Sequence, residues 1–147
     1  MSVLKIKKLN DGATVPNRAT NGSAGMDLYA CIDSDIVIKP QERALIPTGI
    51  AIELESADYV AYIYARSGLA IKHGITLSNC VGVIDSDYRG EIKVGLINLS
   101  DTPYTITSNE RIAQMVISKV ELPQIICVDE LSDTKRGNGG FGSTGKN

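Results

Sequence analysis

Apolar residues recur along the chain in short alternating runs, not at the spacing of a helix. The first run, Val3 to Leu9, places Leu4 and Ile6 on one face and lysines on the other, which is typical of a half-buried strand. Similar runs, rich in isoleucine and valine and bounded by turn residues, follow along most of the chain. The pattern predicts further strands at Ile36 to Ile38, Ala44 to Ile46, Gly49 to Leu54, Tyr59 to Tyr64, Ile75 to Leu77, Ile92 to Ile97, Tyr104 to Thr107 and Gln124 to Val128.

One segment, Arg66 to Gly74, departs from the strand pattern. Ser67 resembles an N-cap, the apolar residues after it tolerate a helix, and Gly74 is a suitable C-terminal stop, so the segment predicts one short helix. Backbone N–H groups at its start, with Arg66 and Ser67 beside them, make a ready anion site. His73 is interpreted as a surface or helix-end residue, not as a catalyst.

The segment Glu110 to Val120 is ambiguous, because its first half suits a helix and its second half suits a strand. The neighbouring segments all predict strands and local propensity is a weak guide, so we interpret it as a strand. On that interpretation Gln114 shares a face with Ile112 and Val116, where a polar amide needs a partner. A core hydrogen bond and a ligand contact are both open for this amide.

The segment from Asn79 to Gly90 lies between two predicted strands and is therefore expected at the exposed tip of a hairpin. It contains two carboxylates, Asp85 and Asp87, beside the phenol of Tyr88. Asp-Ser-Asp in a turn most often serves only the local backbone. The other interpretation is a general base, Asp85, with Tyr88 as an aromatic platform for a flat substrate.

Composition limits the possible classes of protein. The 147 residues are 43% hydrophobic and 22% charged, which predicts one globular domain with a sizeable core. The net charge of −2 gives no general attraction to nucleic acid or to an anionic membrane. No apolar stretch approaches the length needed to cross a bilayer. We therefore expect neither nucleic acid nor a membrane as a partner.

Cysteine and histidine usage limits the chemistry. Cys31, Cys80 and Cys127 are odd in number and have apolar neighbours, which predicts buried free thiols and a cytoplasmic protein. One histidine and three scattered cysteines match no zinc spacing, and no covalent nucleophile motif is present. Catalysis would then use carboxylates, water and an oxygen-bound metal. Asp27, which lies between apolar residues, needs a partner or a ligand.

The C-terminal residues 136–147 are rich in glycine. Arg136, Ser143 and Thr144 bracket Phe141, the only phenylalanine of the chain. Glycine allows successive N–H groups to converge on an anion, while arginine and hydroxyls add donors and an aromatic ring can stack on a base. We expect residues 1–135 to form the single β domain and residues 136–147 to form a flexible arm that closes over an active site.

Five segments, in this order, resemble the five motifs of the trimeric dUTP pyrophosphatases, or dUTPases: Ala24 to Ala30, Arg66 to Gly74, Asn79 to Gly90, Glu110 to Val116 and Arg136 to Gly145. The resemblance is specific because it includes Gly-Val-Ile-Asp-Ser-Asp-Tyr-Arg-Gly and the terminal Gly-Gly-Phe-Gly-Ser-Thr-Gly. It implies an all-β, jelly-roll-like (β-clip) fold with one short helix. It also implies a homotrimer whose active sites lie at subunit interfaces, each completed by a neighbour's arm.

The resemblance implies hydrolysis of dUTP to dUMP and pyrophosphate, which would limit uracil in DNA and supply dUMP for dTMP synthesis. Asp85 would be the general base that activates water to attack the α-phosphorus. Mg²⁺ would be the cofactor, held mainly by the phosphates and contacted through water by Asp27 and Gln114.

The resemblance also assigns substrate contacts by region. Phosphate contacts would come from Arg66, Ser67, Gly68 and Gln114, and the arm would contribute Arg136, Phe141, Gly142, Ser143 and Thr144. The uracil edge would be read at Asn79, Val83, Ile84 and Asp85, with Lys93 as a main-chain contact. Tyr88 would pack under the deoxyribose, where a 2′-hydroxyl would clash.

Two features separate this interpretation from its rivals. A dCTP deaminase of the same fold lacks such a Phe-Gly-Ser-Thr-Gly arm and carries Asp-Pro-Gly where Ser86, Asp87 and Tyr88 stand here. A catalytically inactive nucleotide-binding trimer would have lost Asp85 or the arm, and both are present. The chain departs from the family at Ala65, where proline is usual, and this change should affect loop stiffness and not chemistry.

Overall fold

The computed structural model describes residues 3–140, and within them it contains eleven strands and one helix. The predicted class, all-β with one short helix, is confirmed. The strands are β1 (Lys5–Lys8), β2 (Met26–Tyr29), β3 (Ile36–Ile38), β4 (Arg43–Pro47), β5 (Ile50–Glu53), β6 (Tyr59–Tyr64), β7 (Ile75–Leu77), β8 (Gly82–Ile84), β9 (Lys93–Asn98), β10 (Tyr104–Ile106) and β11 (Arg111–Lys119), and the helix is α1 (Ser67–His73).

The strands form four small sheets in which every pairing is antiparallel. The largest has the order β2-β11-β6-β8, and a three-stranded sheet has the order β4-β9-β7. Two further pairs, β1-β5 and β10-β3, complete the set. Most strands bury mainly one face, whereas β5 buries both, and buried side chains from all four sheets form one hydrophobic cluster. Among the residues described, no helix is long and apolar enough to cross a membrane.

Asn98 is a fully buried polar residue at the end of β9, and all its bonding capacity is used. Its Nδ2 donates to the carbonyl oxygens of Ile38 (2.9 Å) and Thr102 (2.8 Å). Its Oδ1 accepts from the backbone N–H (2.9 Å) and the hydroxyl (2.7 Å) of Ser100. The side chain therefore joins two sheets and the turn after β9.

The helix differs from the prediction at its first residue. Its N-cap is Arg66, which has extended backbone angles and no side-chain capping bond, so Ser67 is the first helical residue and not the cap. The predicted stop is confirmed, because Gly74 is left-handed with φ of 66° and its N–H bonds to the carbonyl of Ala70. A Cβ atom at Gly74 would lie 2.7 Å from the backbone nitrogen of Ser100, so glycine is required there.

The central segment crosses between two sheets. The predicted hairpin exists, since β7 pairs with β9 from Ile75–Asn98 to Leu77–Leu96. Between these strands, however, the chain forms β8, which pairs with β6 in the four-stranded sheet. Gly82 is thus a buried strand residue and not a turn boundary, and a Cβ there would lie 3.0 Å from the Cβ of Ile63. Asp85 follows directly after this edge strand.

Strand β11 confirms the prediction for the ambiguous segment but contains a register shift. The pairing with β2 shifts between Arg111 and Ala113, and the buried residues are Ile112, Ala113 and Met115. The regular pattern predicted that Gln114 shares a face with Ile112. The register shift interrupts the alternation of faces, so the two residues do not share one.

The predicted strand Gln124 to Val128 is absent from the described chain. Residues 121–138 are exposed, and Ile125 is 93% exposed although its sequence context is that of a strand. The apolar run has no partner strand among residues 3–140, so it forms no ladder there. The three cysteines are free, as predicted, but the prediction that they are buried is wrong, because Cys80 and Cys127 are exposed and Cys31 is half-buried.

We expect Asn98→Ala to lower the free energy of unfolding by about 2–3 kcal/mol, because it leaves buried carbonyl and N–H groups without partners. Urea denaturation at one protein concentration measures the change. Asn21→Ala, the same substitution in an exposed loop, is the control and should have little effect. Equal stability of the two variants would contradict a structural role for Asn98.

Candidate functional site

The first candidate region is a cavity of about 400 Å³ that we call the arginine cavity. It is lined by β2, β11 and the start of α1. Its functional side chains and backbone come from Asp27, Arg66, Ser67, Gly68, Arg111 and Gln114. The sequence singled out all of these residues except Arg111.

The carboxylate of Asp27 binds two arginines. Its Oδ1 accepts from Nε of Arg66 at 2.9 Å, and its Oδ2 accepts from a guanidinium nitrogen of Arg111 at 3.2 Å. A second nitrogen of Arg66 donates to the carbonyl of Arg111 at 3.3 Å. The Asp27 side chain is only 15% exposed, so this pairing supplies the partner that its position requires. Two guanidiniums and one carboxylate leave the cavity with an excess positive charge, which favours an anionic ligand.

Gln114 is held against the residue that precedes the helix cap. Its Nε2 donates to the carbonyl of Ala65 at 3.0 Å, so the amide has the partner that the sequence indicated it would need. A Cβ atom at Gly25 would collide with Oε1 of Gln114 and lie 3.2 Å from its Cδ. Gly25 therefore leaves the space in which the Gln114 side chain lies.

The other end of α1 is held by an aromatic contact. The ring of His73 lies 4.9 Å from the ring of Tyr104, measured between centroids, and the phenol of Tyr104 donates to Oε1 of Glu110 at 2.6 Å. Burial, followed by this bond to Glu110, raises the pKa of Tyr104 to about 12. His73 is an exposed residue of the last helical turn, as predicted, and Glu110 directly precedes Arg111 of the arginine cavity.

The second candidate region is a cavity of about 520 Å³ that we call the carboxylate cavity. It lies where β8 ends and β9 begins. Its lining includes Val83, Ile84, Asp85, Tyr88, Glu91 and Lys93. The two cavities have no lining residue in common.

Asp85 and Tyr88 are presented by a tight turn after β8. The N–H of Tyr88 donates to the carbonyl of Asp85 at 3.2 Å, and the guanidinium of Arg89 donates to the carbonyls of Ser86 (2.7 Å) and Tyr88 (3.1 Å). The Asp85 side chain is exposed and Tyr88 is 44% exposed. The turn thus holds a carboxylate and an aromatic ring toward open space.

The remaining predicted residues lie elsewhere or outside the described residues. Asn79 is exposed and lines neither cavity, and Nε of Arg136 donates to the carbonyl of Gly139 at 2.9 Å. Phe141, Gly142, Ser143 and Thr144 lie outside the described residues. Sequence reasoning missed Arg111 and Glu91. Arg111 could have been found from the sequence, because it is a charged residue near the start of the predicted strand that contains the motif residue Gln114.

The side chains of the arginine cavity suit a cation that enters already bound to the ligand. Within residues 3–140, no group of three or more histidine, cysteine, aspartate or glutamate side chains could hold a metal ion. Each Asp27 oxygen accepts one arginine bond and keeps a lone pair that a water molecule could use. Mg²⁺ keeps several of its waters when phosphates bind it, so contacts through water are compatible with these residues.

The fold and its two cavities define a class, the jelly-roll-like all-β proteins. Residues 11–145 match the family model for dUTPase, and the chain belongs to the dUTPase family. It is 58% identical over 143 residues to the deoxyuridine 5'-triphosphate nucleotidohydrolase of Nautilia profundicola, covering 97% of this chain and 99% of that protein. It is 52% identical to the protein of the same name from Finegoldia magna, again over 143 residues, 97% of this chain and 99% of that one.

Solved structures agree with this assignment. The chain is similar to the dUTPase of Staphylococcus bacteriophage 80alpha solved with dUpNHpp, with a TM-score of 0.87 and 29% sequence identity. The similarity covers 97% of this chain and 98% of the phage chain. The predicted jelly-roll-like dUTPase fold and the resemblance to this family are therefore confirmed.

We expect Asp27→Asn to destabilise the protein by about 1–3 kcal/mol. The substitution removes the negative charge that two neighbouring guanidiniums both bind in a partly buried site. Thermal unfolding measures the loss. Glu53→Gln is the matched control, since Glu53 pairs with Lys5 at the surface and such pairs contribute little. An Asp27 variant as stable as the Glu53 variant would contradict the structural importance of the pairing.

Proposed function

We propose that this chain is a dUTP diphosphatase that hydrolyses dUTP to dUMP and pyrophosphate. Relatives 52% and 58% identical over nearly their whole length carry the name deoxyuridine 5'-triphosphate nucleotidohydrolase. One structural observation carries the proposal: an exposed carboxylate beside an aromatic ring, together with a separate cavity of two arginines around one carboxylate. The first suits base catalysis next to a nucleoside, and the second suits a triphosphate.

Asp85 is the proposed general base. It is exposed at the mouth of the carboxylate cavity, where a water molecule can reach it. A carboxylate oxygen placed beside a water molecule can accept its proton as that water attacks the α-phosphorus. The attack forms a bond from the water oxygen to the α-phosphorus and breaks the bond from that phosphorus to the bridging oxygen of the departing pyrophosphate.

The arginine cavity is the proposed site for the phosphates. Arg66 and the backbone of Ser67 and Gly68 would hold phosphate oxygens, and Gln114 would add an amide contact. Mg²⁺, when bound, would neutralise phosphate charge, with Asp27 and Gln114 contacting it through water. The arm residues Arg136, Phe141, Gly142, Ser143 and Thr144 stay predicted contacts of the γ-phosphate and the uracil.

The carboxylate cavity is the proposed site for the nucleoside. Val83, Ile84, Asp85 and the main chain at Lys93 would read the uracil edge, and Asn79, which lines neither cavity, stays a predicted contact of the uracil. Hydrogen bonds to a base edge can reject cytosine strongly, because a mismatched donor leaves buried polar groups without partners. Tyr88 would form the wall under the deoxyribose that excludes a 2′-hydroxyl.

We further propose that the active form is a homotrimer with shared sites. A single nucleotide has to reach both a nucleoside pocket and a phosphate pocket, yet the two cavities of one chain have no common lining residue. The apolar residues Leu122, Ile125 and Ile126 are also exposed, and nothing among residues 3–140 covers them. The free cysteines support the predicted cytoplasmic location.

The test measures pyrophosphate release from dUTP, dCTP, dTTP and UTP in the presence of Mg²⁺. We expect the wild type to act selectively on dUTP. Asp85→Asn should lower kcat by about 10²–10⁴-fold while dUpNHpp still binds, because the amide cannot accept the proton. Asp87→Asn removes the neighbouring carboxylate of the same turn and should retain most of the activity.

Each contrary outcome points to a different function. Ammonia release from dCTP would identify a deaminase, and tight dUpNHpp binding without turnover of dUTP would identify an inactive nucleotide-binding protein. An Asp85→Asn variant as active as the wild type would show that Asp85 is not the base.

A further inference from the structure

We propose that Glu91 is a positioning residue that fixes the ring of Tyr88 and so contributes to the choice of deoxyribose over ribose. The inference rests on the proposed function, in which Tyr88 is the wall of the sugar site. Glu91 was not singled out by any motif, and its side chain lines the carboxylate cavity. Its role follows from three contacts that join Tyr88 to the body of the protein.

The first contact seats the Tyr88 ring on the backbone of the turn. A Cβ atom at Gly90 would collide with the phenol oxygen of Tyr88 and lie 2.5 Å from its Cζ and 2.9 Å from its Cε2. The ring therefore lies directly over the α-carbon of Gly90, in space that any other residue would fill. Because the backbone of Gly90 is not in the left-handed region, it is the space taken by the Tyr88 ring, and not backbone strain, that disfavours a larger residue here.

The second contact fixes the outer end of the ring. The phenol of Tyr88 donates to the carbonyl oxygen of Glu91 at 3.0 Å. Tyr88 is 44% exposed, so packing against neighbouring residues holds only part of its side chain. The place of the ring thus depends on where the Glu91 carbonyl is held.

The third contact holds Glu91 itself. Its Oε1 accepts from the backbone N–H of Gly49 at 2.9 Å, and its Oε2 lies 3.4 Å from Nζ of Lys93. The carboxylate is 24% exposed, so the bond to Gly49 is largely shielded from water. Glu91 is therefore anchored through its side chain to the turn between β4 and β5.

That turn is a rigid anchor. Gly49 is left-handed with φ of 67°, and a Cβ there would lie 2.8 Å from both the Cβ of Ala13 and the Sγ of Cys31. The hydroxyl of the buried Thr48 donates to the carbonyl of Ile92 at 2.5 Å, which fixes the residue after Glu91 to the same turn. The N–H of Ile92, which shares a peptide group with the Glu91 carbonyl, also donates to the carbonyl of Ile50 at 2.9 Å. The backbone thus holds this peptide group on its Ile92 side, and the Glu91 carboxylate adds the connection on the Tyr88 side.

The consequence for specificity is geometric. A wall that rejects one hydroxyl group has to stay within a fraction of an ångström of its place, since a ring that can retreat admits the larger sugar. Loss of the Glu91 anchor should therefore increase activity on UTP more than it lowers activity on dUTP.

The experiment compares kcat/KM for dUTP and UTP in four variants. Glu91→Ala and Glu91→Asp, which cannot reach Gly49, should lower the dUTP/UTP ratio by about 5- to 10-fold, the effect of one hydrogen bond. Glu91→Gln keeps an oxygen acceptor for Gly49 and should keep the ratio near that of the wild type. Glu42→Ala is the matched control, because Glu42 accepts a backbone N–H from Lys39 away from both cavities.

Two further variants separate positioning from general damage. Tyr88→Phe removes the bond to the Glu91 carbonyl and should lower the ratio in the same direction, with no added loss in the double variant with Glu91→Ala. If Glu91→Ala fails to fold, Glu91→Asp and Gly90→Ala replace it, and Gly90→Ala should displace the ring directly.

The inference is overturned if Glu91→Ala and Glu91→Asp keep the wild-type ratio, or if they lower both kcat/KM values equally. Failure of the wild type to turn over dUTP would reject the proposed function instead. The two failures are thus distinguished by the wild-type measurement alone.

Discussion

The pairing of Asp27 with two arginines is the interaction on which the arginine cavity depends. β2 supplies the carboxylate, β11 supplies Arg111, and the N-cap of α1 supplies Arg66. Two guanidiniums this close would repel each other without the shared carboxylate. The pairing therefore sets where the helix begins relative to the four-stranded sheet, and the charge left over is positive, as a phosphate site requires.

A second constraint is that one chain presents two separate cavities. The segment after β7 leaves one sheet to pair as β8 in the other, and this crossing carries Asp85 and Tyr88 to an edge of the four-stranded sheet. The arginine cavity lies between β2, β11 and α1, with none of the same lining residues. On the proposed function, a nucleotide would reach both the general base and the phosphate site if copies of the chain combine their cavities.

The sequence predicts the features that depend on local chemistry. Alternation predicts nearly all strands, and the left-handed Gly74 ends the helix as expected. Features that depend on distant partners could not be predicted in this way. The three-residue β8 contains only Gly-Val-Ile and is a strand because β6 lies beside it, whereas Gln124 to Val128 is apolar and rich in β-branched residues but has no partner strand within residues 3–140. The contacts of Arg111 with Asp27 and of Glu91 with Gly49 join residues far apart in sequence, and no short motif encodes them.

We propose that each active site combines the carboxylate cavity of one chain with the arginine cavity of another. The most direct test refolds Asp85→Asn and Arg66→Ala together, each expected to lose nearly all activity alone, and measures pyrophosphate release from dUTP. If each site draws on two chains, roughly a quarter of the sites in a random mixture contain both intact residues, and activity should return to that fraction of the wild type. A mixture as inactive as either variant alone would contradict the claim, because it would place both residues of each site in one chain.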